Sequence, residues 1–144
     1  MFNRIILLAA VGVVSTGCAI KQNIKPVERF TDRTVCIVDN PEVREGFMEA
    51  YQQALQSKGY IAQKVAANSP VTQCPITSTY TANWSWGLAI YMSYADIKVY
   101  NNGKQVGGAV YDSTNGRMNT KKFIEADKKI KELVDQLFQT AAVS

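Results

Sequence analysis

No histidine occurs among the 144 residues of this chain. Ser-His-Asp and Cys-His catalysis, zinc-peptidase sites and imidazole proton shuttles all need one, so none of them is open to it. Any catalysis would have to run on carboxylates, lysine or tyrosine. Cysteine is scarce as well: three residues, Cys18, Cys36 and Cys74, with no short spacing between them. Without histidine and without such a spacing no metal site is expected, and nothing in the sequence asks for a cofactor. Charge of one sign is also lacking. Sixteen Lys and Arg stand against twelve acids, a formal net charge of +4, too weak and too dispersed to argue for nucleic acid. No segment is low-complexity, and no period of 20 to 50 residues repeats.

The longest apolar run, Ile5 to Val14, is too short to span a bilayer, which takes about 20 apolar residues. It follows one early positive charge, Arg4, and precedes Ser15-Thr16-Gly17-Cys18. That order of charged, apolar and small residues is the order of a secretory signal. Residues 1–17 are read as the signal, 18–32 as a modified cysteine and tether, and 33–144 as the domain. Removing 17 of the 144 residues leaves 127, enough for one core and not for two. Only Arg4 is lost among the charges, so the mature chain stays mildly basic at about +3.

Gly17-Cys18 resembles the lipobox of bacterial lipoproteins, in which the cysteine is acylated and becomes the new N-terminus. Ser15 stands where Leu, Val or Ile is commonest in that motif, so ordinary cleavage to an unlipidated secreted product also fits. With Cys18 acylated, Cys36 and Cys74 remain as an even pair in an oxidising compartment. A disulfide between them is expected; two buried free thiols are the alternative.

Thr34 to Asp39 is β-rich and nearly all apolar, as in a strand buried on both faces. Asn40-Pro41 offers a cap and a first-turn proline for a helix that puts Val43, Phe47, Tyr51 and Leu55 on one stripe. Gly59 closes that helix. Tyr60 to Ala66 is the next strand, parallel to the first across the helical crossover. Three more strands follow at Ile76–Trp84, Ala89–Tyr100 and Gln105–Tyr111, the last two joined by an Asn102-Gly103 hairpin turn. That turn pairs Val99 with Val106, Ile97 with Gly108 and Ala95 with Val110 on one face. Opposing Trp84 to Ala89 puts Ile76, Tyr80, Ala82 and Trp84 on the same inner face. Lys121 to Ala141 is the second helix, with Phe123, Ile130, Val134, Leu137 and Phe138 as its apolar stripe and i,i+4 charge pairs outside. The elements run β-α-β-β-β-β-α. The fold expected is an α+β two-layer sandwich, a mixed five-stranded sheet with both helices on one face.

On the face away from the helices this register leaves threonines and asparagine at 77, 79, 81 and 83, with Ile90, Met92, Tyr94, Lys98, Tyr100, Gln105, Ala109 and Tyr111. Tyr94 falls opposite Tyr111. A Tyr/Met/Thr face with little charge suits a partner surface as well as it suits cross-strand stabilisation. Trp86, at the turn between two strands, could present an indole to glycan, lipid headgroup or protein. The candidate interaction residues are therefore Trp86, Met92, Tyr94, Tyr100 and Tyr111. Glu42, Glu45 and Glu49 cluster near the first helix. Paired carboxylates can hydrolyse glycosides, but the group also suits a helix N-terminus. Gly107-Gly108 lies mid-strand and fits a bulge or the close approach of a helix, not a phosphate loop.

Cys36-Ile37-Val38, Asn40-Pro41, Cys74-Pro75, Tyr80-Thr81-Ala82 and Trp86 occur in that order, followed by Val99-Tyr100, Gly103 and Gly108-Ala109-Val110-Tyr111. In this the chain resembles a family of small uncharacterised proteobacterial lipoproteins with no established enzyme activity. The resemblance implies an exported, lipid-anchored domain. Ala19, rather than Asp, follows the cysteine, which in such lipoproteins implies the outer membrane, periplasmic side. A non-catalytic module binding an envelope protein or a second copy is the function expected. An envelope-glycan enzyme and an immunity or exclusion lipoprotein are the alternatives.

Overall fold

The computed structural model describes residues 20–116 and 119–142, apart from the side chains of Lys121 and Phe123. The signal segment and Cys18 therefore lie outside the described residues, as does the expected apolar contact of Phe123. Among the described residues six strands form one sheet: β1 (Lys21–Lys25), β2 (Thr34–Val38), β3 (Ile61–Val65), β4 (Ile76–Trp86), β5 (Ile90–Asn101) and β6 (Lys104–Asp112). Helix α1 spans Phe47–Ser57, a 3-10 turn spans Thr120–Phe123 and α2 spans Ala126–Leu137. The spatial order of strands is β1-β6-β5-β4-β2-β3. β2 is parallel to both β3 and β4, and the other pairs are antiparallel. The class is α+β with two helices on a mixed sheet.

The sixth strand lies inside the segment expected to be a tether. Its sequence, Lys-Gln-Asn-Ile-Lys, is exposed at every position but Ile24, so no apolar alternation announces it. β1 is an edge strand whose pairing with β6 is a matter of backbone, with Gln22 opposite Tyr111 and Ile24 opposite Ala109.

Helix α1 starts later than Asn40-Pro41 implies. Asn40 caps a turn instead: its side-chain oxygen accepts from the Glu42 N–H and its carbonyl from the Val43 N–H. Gly46, with φ of 99°, then sits in the left-handed region and separates that turn from the helix. The stripe survives the shift, because Val43, Phe47, Tyr51 and Leu55 are all buried. Gly59, also left-handed at φ 90°, ends α1 as expected. Helix α2 is likewise shorter than the periodicity suggests. It starts after Glu125, and Phe138 has already turned extended while remaining buried.

The register of the Asn102-Gly103 hairpin holds for two rows and then slips. Asn101 faces Lys104 and Tyr100 faces Gln105, but Val99 faces Gly107, Ile97 faces Ala109 and Ala95 faces Tyr111. Val106 is the extra residue of a β-bulge. Because side chains alternate with period two, one inserted residue exchanges the two faces of everything beyond it. Ala109 and Tyr111 therefore point inward, while Gly108 and Val110 take the face expected for Gln105 and Ala109. Trp84 stands opposite Met92, not the expected Ala89, and Trp86 opposite Ile90, beyond a second bulge at Ser93. That turns Met92 inward, where it is 2% exposed.

One apolar core lies between the sheet and the helices. Phe47 of α1 stacks on Tyr80 with ring centroids 4.7 Å apart, and the Tyr51 hydroxyl lies 2.8 Å from Ser78 Oγ. Lys129 of α2 passes under the Tyr111 ring, its Nζ 4.7 Å from the centroid. Ser78, Tyr80 and Tyr111 share the inner face, so both helices cover the same side. Lys129 is nearly buried, bonding Gln22 and Glu132, and so does not belong to the solvated charge run expected of it. Of the i,i+4 pairs, Lys131–Asp135 forms at 2.8 Å, while Lys128–Glu125 and Lys129–Glu132 close at i,i+3.

Burial raises the phenol pKa of Tyr51, Tyr60, Tyr80 and Tyr111 above the usual value. An unfolded tyrosine ionises near pH 10, so above about pH 10 the unfolded chain binds fewer protons than the folded one and stability falls as pH rises. Below that pH these phenols are neutral in both states and leave stability unchanged. An alkaline titration followed by phenolate absorbance and circular dichroism should show these tyrosines ionising together with unfolding, above pH 10. Full ionisation while the dichroism stays native would contradict their burial.

Candidate functional site

The structure keeps part of the expected interaction surface and removes the rest. Tyr94 and Tyr100 stay on the open sheet face, half-buried. Met92 and Tyr111 are core residues at 2% and 1% exposure. Tyr94 faces Asn83 on one side and Asp112 on the other, not Tyr111. The open face is also more charged than expected. Asp96 lies between Tyr94 and Lys98, 3.5 Å from the Tyr94 hydroxyl and 3.8 Å from Lys98 Nζ. Lys21 pairs with Asp112 in the adjoining row. Burial, and then Asp96 and Asp112, raise the Tyr94 phenol pKa. Two hydrogen bonds from Thr114 hold the Asp112 carboxyl below the usual range. This is a wet, internally paired face.

Cys36 and Cys74 are joined by a disulfide with Cα atoms 6.1 Å apart. Cys36 sits in the middle of β2, fully buried. Cys74 ends the loop after β3, and the Thr77 hydroxyl both accepts from its N–H and donates to its carbonyl. The bond fastens that loop to the sheet opposite the helices.

Trp86 is 77% exposed at the tip of the β4–β5 hairpin, in the company of Leu88 at 95% and Ile90 at 52%. The turn is Gly87-Leu88-Ala89, closed by a bond from the Gly87 N–H to the Ala89 carbonyl. The sequence places Trp86 at the turn but Ile90 on the open sheet face, whereas beyond the Ser93 bulge Ile90 shares the face of Met92 and Trp84; nothing in the hairpin pattern marked Leu88. The available signal was the composition: from Trp86 to Tyr91 the turn carries no charged or polar side chain except the Tyr91 phenol, which is unusual for a hairpin tip. Beneath the tip, Ser85 Oγ donates to Ser93 Oγ, Ser93 Oγ to the Asn83 carbonyl, and the Ser113 N–H to the Ser93 carbonyl. These bonds satisfy the bulge and hold the hairpin base.

Glu42, Glu45 and Glu49 are all exposed. Glu45 and Glu49 line an open groove of about 470 Å³ with Asp39, Arg44 and Lys64. A larger groove of about 750 Å³, lined by Lys25, Glu28, Arg29, Asp32, Asn102 and Lys104, lies at the opposite end of the sheet from the tip. A general acid of the glycosidase kind needs a carboxyl shielded from water; Glu42, Glu45 and Glu49 are open to it, and Asp32 and Asp39 are half-buried. Among the described residues, no group of three or more His, Cys, Asp or Glu could hold a metal ion. No described helix is long and apolar enough to cross a membrane.

No family model matches the chain, and no curated protein is similar to it. Solved structures are. PelC from Paraburkholderia phytofirmans, crystallised as a dodecamer, superposes with a TM-score of 0.57 at 12% identity, covering 81% of this chain and 98% of that one. A point variant of the same dodecamer gives 0.55 at 10% identity, covering 86% and 100%. At such identity the likeness is one of fold.

Proposed function

We propose that this chain is a non-catalytic, lipid-anchored envelope module, held at Cys18 to the outer membrane on its periplasmic side and acting through contacts with envelope proteins, further copies of itself included. The Cys36–Cys74 bond carries this reading. Such a bond persists in an oxidising compartment, which agrees with export behind the signal-like N-terminus. It also accounts for two of the three cysteines and leaves Cys18 for acylation. The likeness of fold to a protein that forms a dodecamer favours self-association. The exposure of Glu42, Glu45 and Glu49 gives the glycan-enzyme alternative no support.

Mass spectrometry of the protein purified from membranes should find Cys18 as the N-terminus with an acyl modification. At least two chains are expected, because one gives only marginal membrane affinity. A free, unacylated Cys18 would sink the anchor. Native mass spectrometry in detergent should find more than one copy per particle, and a monomer at every concentration tried would remove self-association.

A further inference from the structure

The apolar hairpin tip and the start of the described chain lie at the same end of the sheet. Lys21 of β1 pairs with Asp112 of β6, and Asp112 pairs with Tyr94 of β5, so the three stand in one row across three strands. From that row β5 runs back through the Ser93 bulge to Ile90 and the tip. The distance along the strand is roughly 10 Å at the usual rise per residue. In the other direction along the chain, Cys18 precedes Lys21 by three residues and can reach at most about 10 Å beyond it. Ile20 is held at this same end: a Cβ added to Gly116 would lie 3.4 Å from its side chain, and Gly116 bonds back to Ser113 at the hairpin base. An acylated Cys18 can therefore reach about the height at which the side chains of Trp86, Leu88 and Ile90 stand above one pole of the domain.

We infer that the Trp86-Leu88-Ile90 tip inserts into the lipid surface that holds the anchor, as a second attachment that fixes how the domain stands on the membrane. The inference rests on the lipid anchor proposed above. Three features favour lipid over a protein partner. The tip is a convex turn, whereas a specific protein interface buries about 800 Å² on each partner. Its exposed apolar side chains include an indole, the side chain that settles at membrane interfaces. Behind it stands an exposed cation: Arg44 lies 6.0 Å from the Trp84 ring centroid. A cation behind an apolar tip suits anionic headgroups. Anchoring at one residue leaves a domain free to tilt, and a rigid apolar tip elsewhere on the same pole would remove that freedom.

The test uses the full acylated protein reconstituted into phosphatidylethanolamine–phosphatidylglycerol vesicles. The chain has two tryptophans, so Trp84→Phe leaves Trp86 as the sole reporter. Its emission should be blue-shifted and quenched by lipids brominated on the acyl chains, and aqueous iodide should quench it several-fold less than it quenches free tryptophan. In the wild-type background, Trp86→Ala should abolish the bromolipid-quenched component, which keeps the test open if Trp84→Phe folds poorly. An acylated, vesicle-bound protein whose Trp86 is quenched by iodide and not by bromolipid would overturn the insertion alone. A protein lacking acyl mass on Cys18 and absent from the vesicles would overturn the anchor and the insertion together.

Discussion

Replacing both Cys36 and Cys74 by alanine is expected to lower stability by about 4 kcal/mol, the value the chain-entropy model gives for the closed loop, whose cysteines are 38 residues apart. For a domain of this size that corresponds to a fall in Tm of roughly 10–20 °C. The position of the bond makes the loss felt across the sheet. β2 registers with β4 only at Cys36–Thr77 and Ile37–Ser78, so the seam joining the β2–α1–β3 unit to the antiparallel strands is short. The disulfide crosses beside that seam, and the Cys74 backbone is tied to the same Thr77. Without the bond, the loop before β4 is free to leave the sheet and the seam loses its outer support. Thermal melts of the double variant and of reduced wild-type protein should agree. A fall of less than about 3 °C in both would mean that the bond contributes little to the fold.

The sequence carried the elements well wherever a side chain reports its environment. β2 reads as a doubly buried strand because Val35, Cys36, Ile37 and Val38 are all apolar, and all are buried. The parallel β2–β3 pairing follows from the helix between them. What escaped was whatever backbone alone decides. β1 is polar at four of its five positions, and no pattern marks it as a strand. Gly46 breaks the first helix with a dihedral angle, not with a side chain. Gly107-Gly108 fits a bulge in the sequence, and one lies beside it at Val106, but two residues without side chains cannot say which face is which. Either register offered apolar residues for the core, Val106 and Val110 in one, Ala109 and Tyr111 in the other. The structure shows what selects the second. A Cβ on Gly107 would stand 2.5 Å from Val27 Cγ1 and 2.7 Å from the Lys25 carbonyl oxygen, so the chain leaving β1 packs directly on that glycine. Of the candidate interaction residues, Trp86 was legible as an exposed turn aromatic, while Met92 and Tyr111 were misassigned by the two bulges.

Tyr111→Ala should therefore behave as a core truncation and not as the loss of a surface contact. The ring is 1% exposed, faces Ala95 across the sheet and Gln22 at the edge, and carries the Lys129 ammonium over its face. Emptying a large aromatic site typically costs about 3–5 kcal/mol, the transfer of the ring plus the cavity it leaves. Here Lys129 adds to the loss. Nearly buried, it would keep Gln22 and Glu132 but lose the ring that shields it, and a cation–π contact of this kind contributes on the order of 1 kcal/mol. Tyr94→Ser is the matched control. Its ring is half-buried on the open face, and losing a cross-strand pair costs at most about 1 kcal/mol. Denaturant melts should separate the two by several-fold in lost stability, with Tyr111→Ala far the worse. Equal, small losses would return Tyr111 to the open face and restore the unslipped register in which it stands opposite Tyr94.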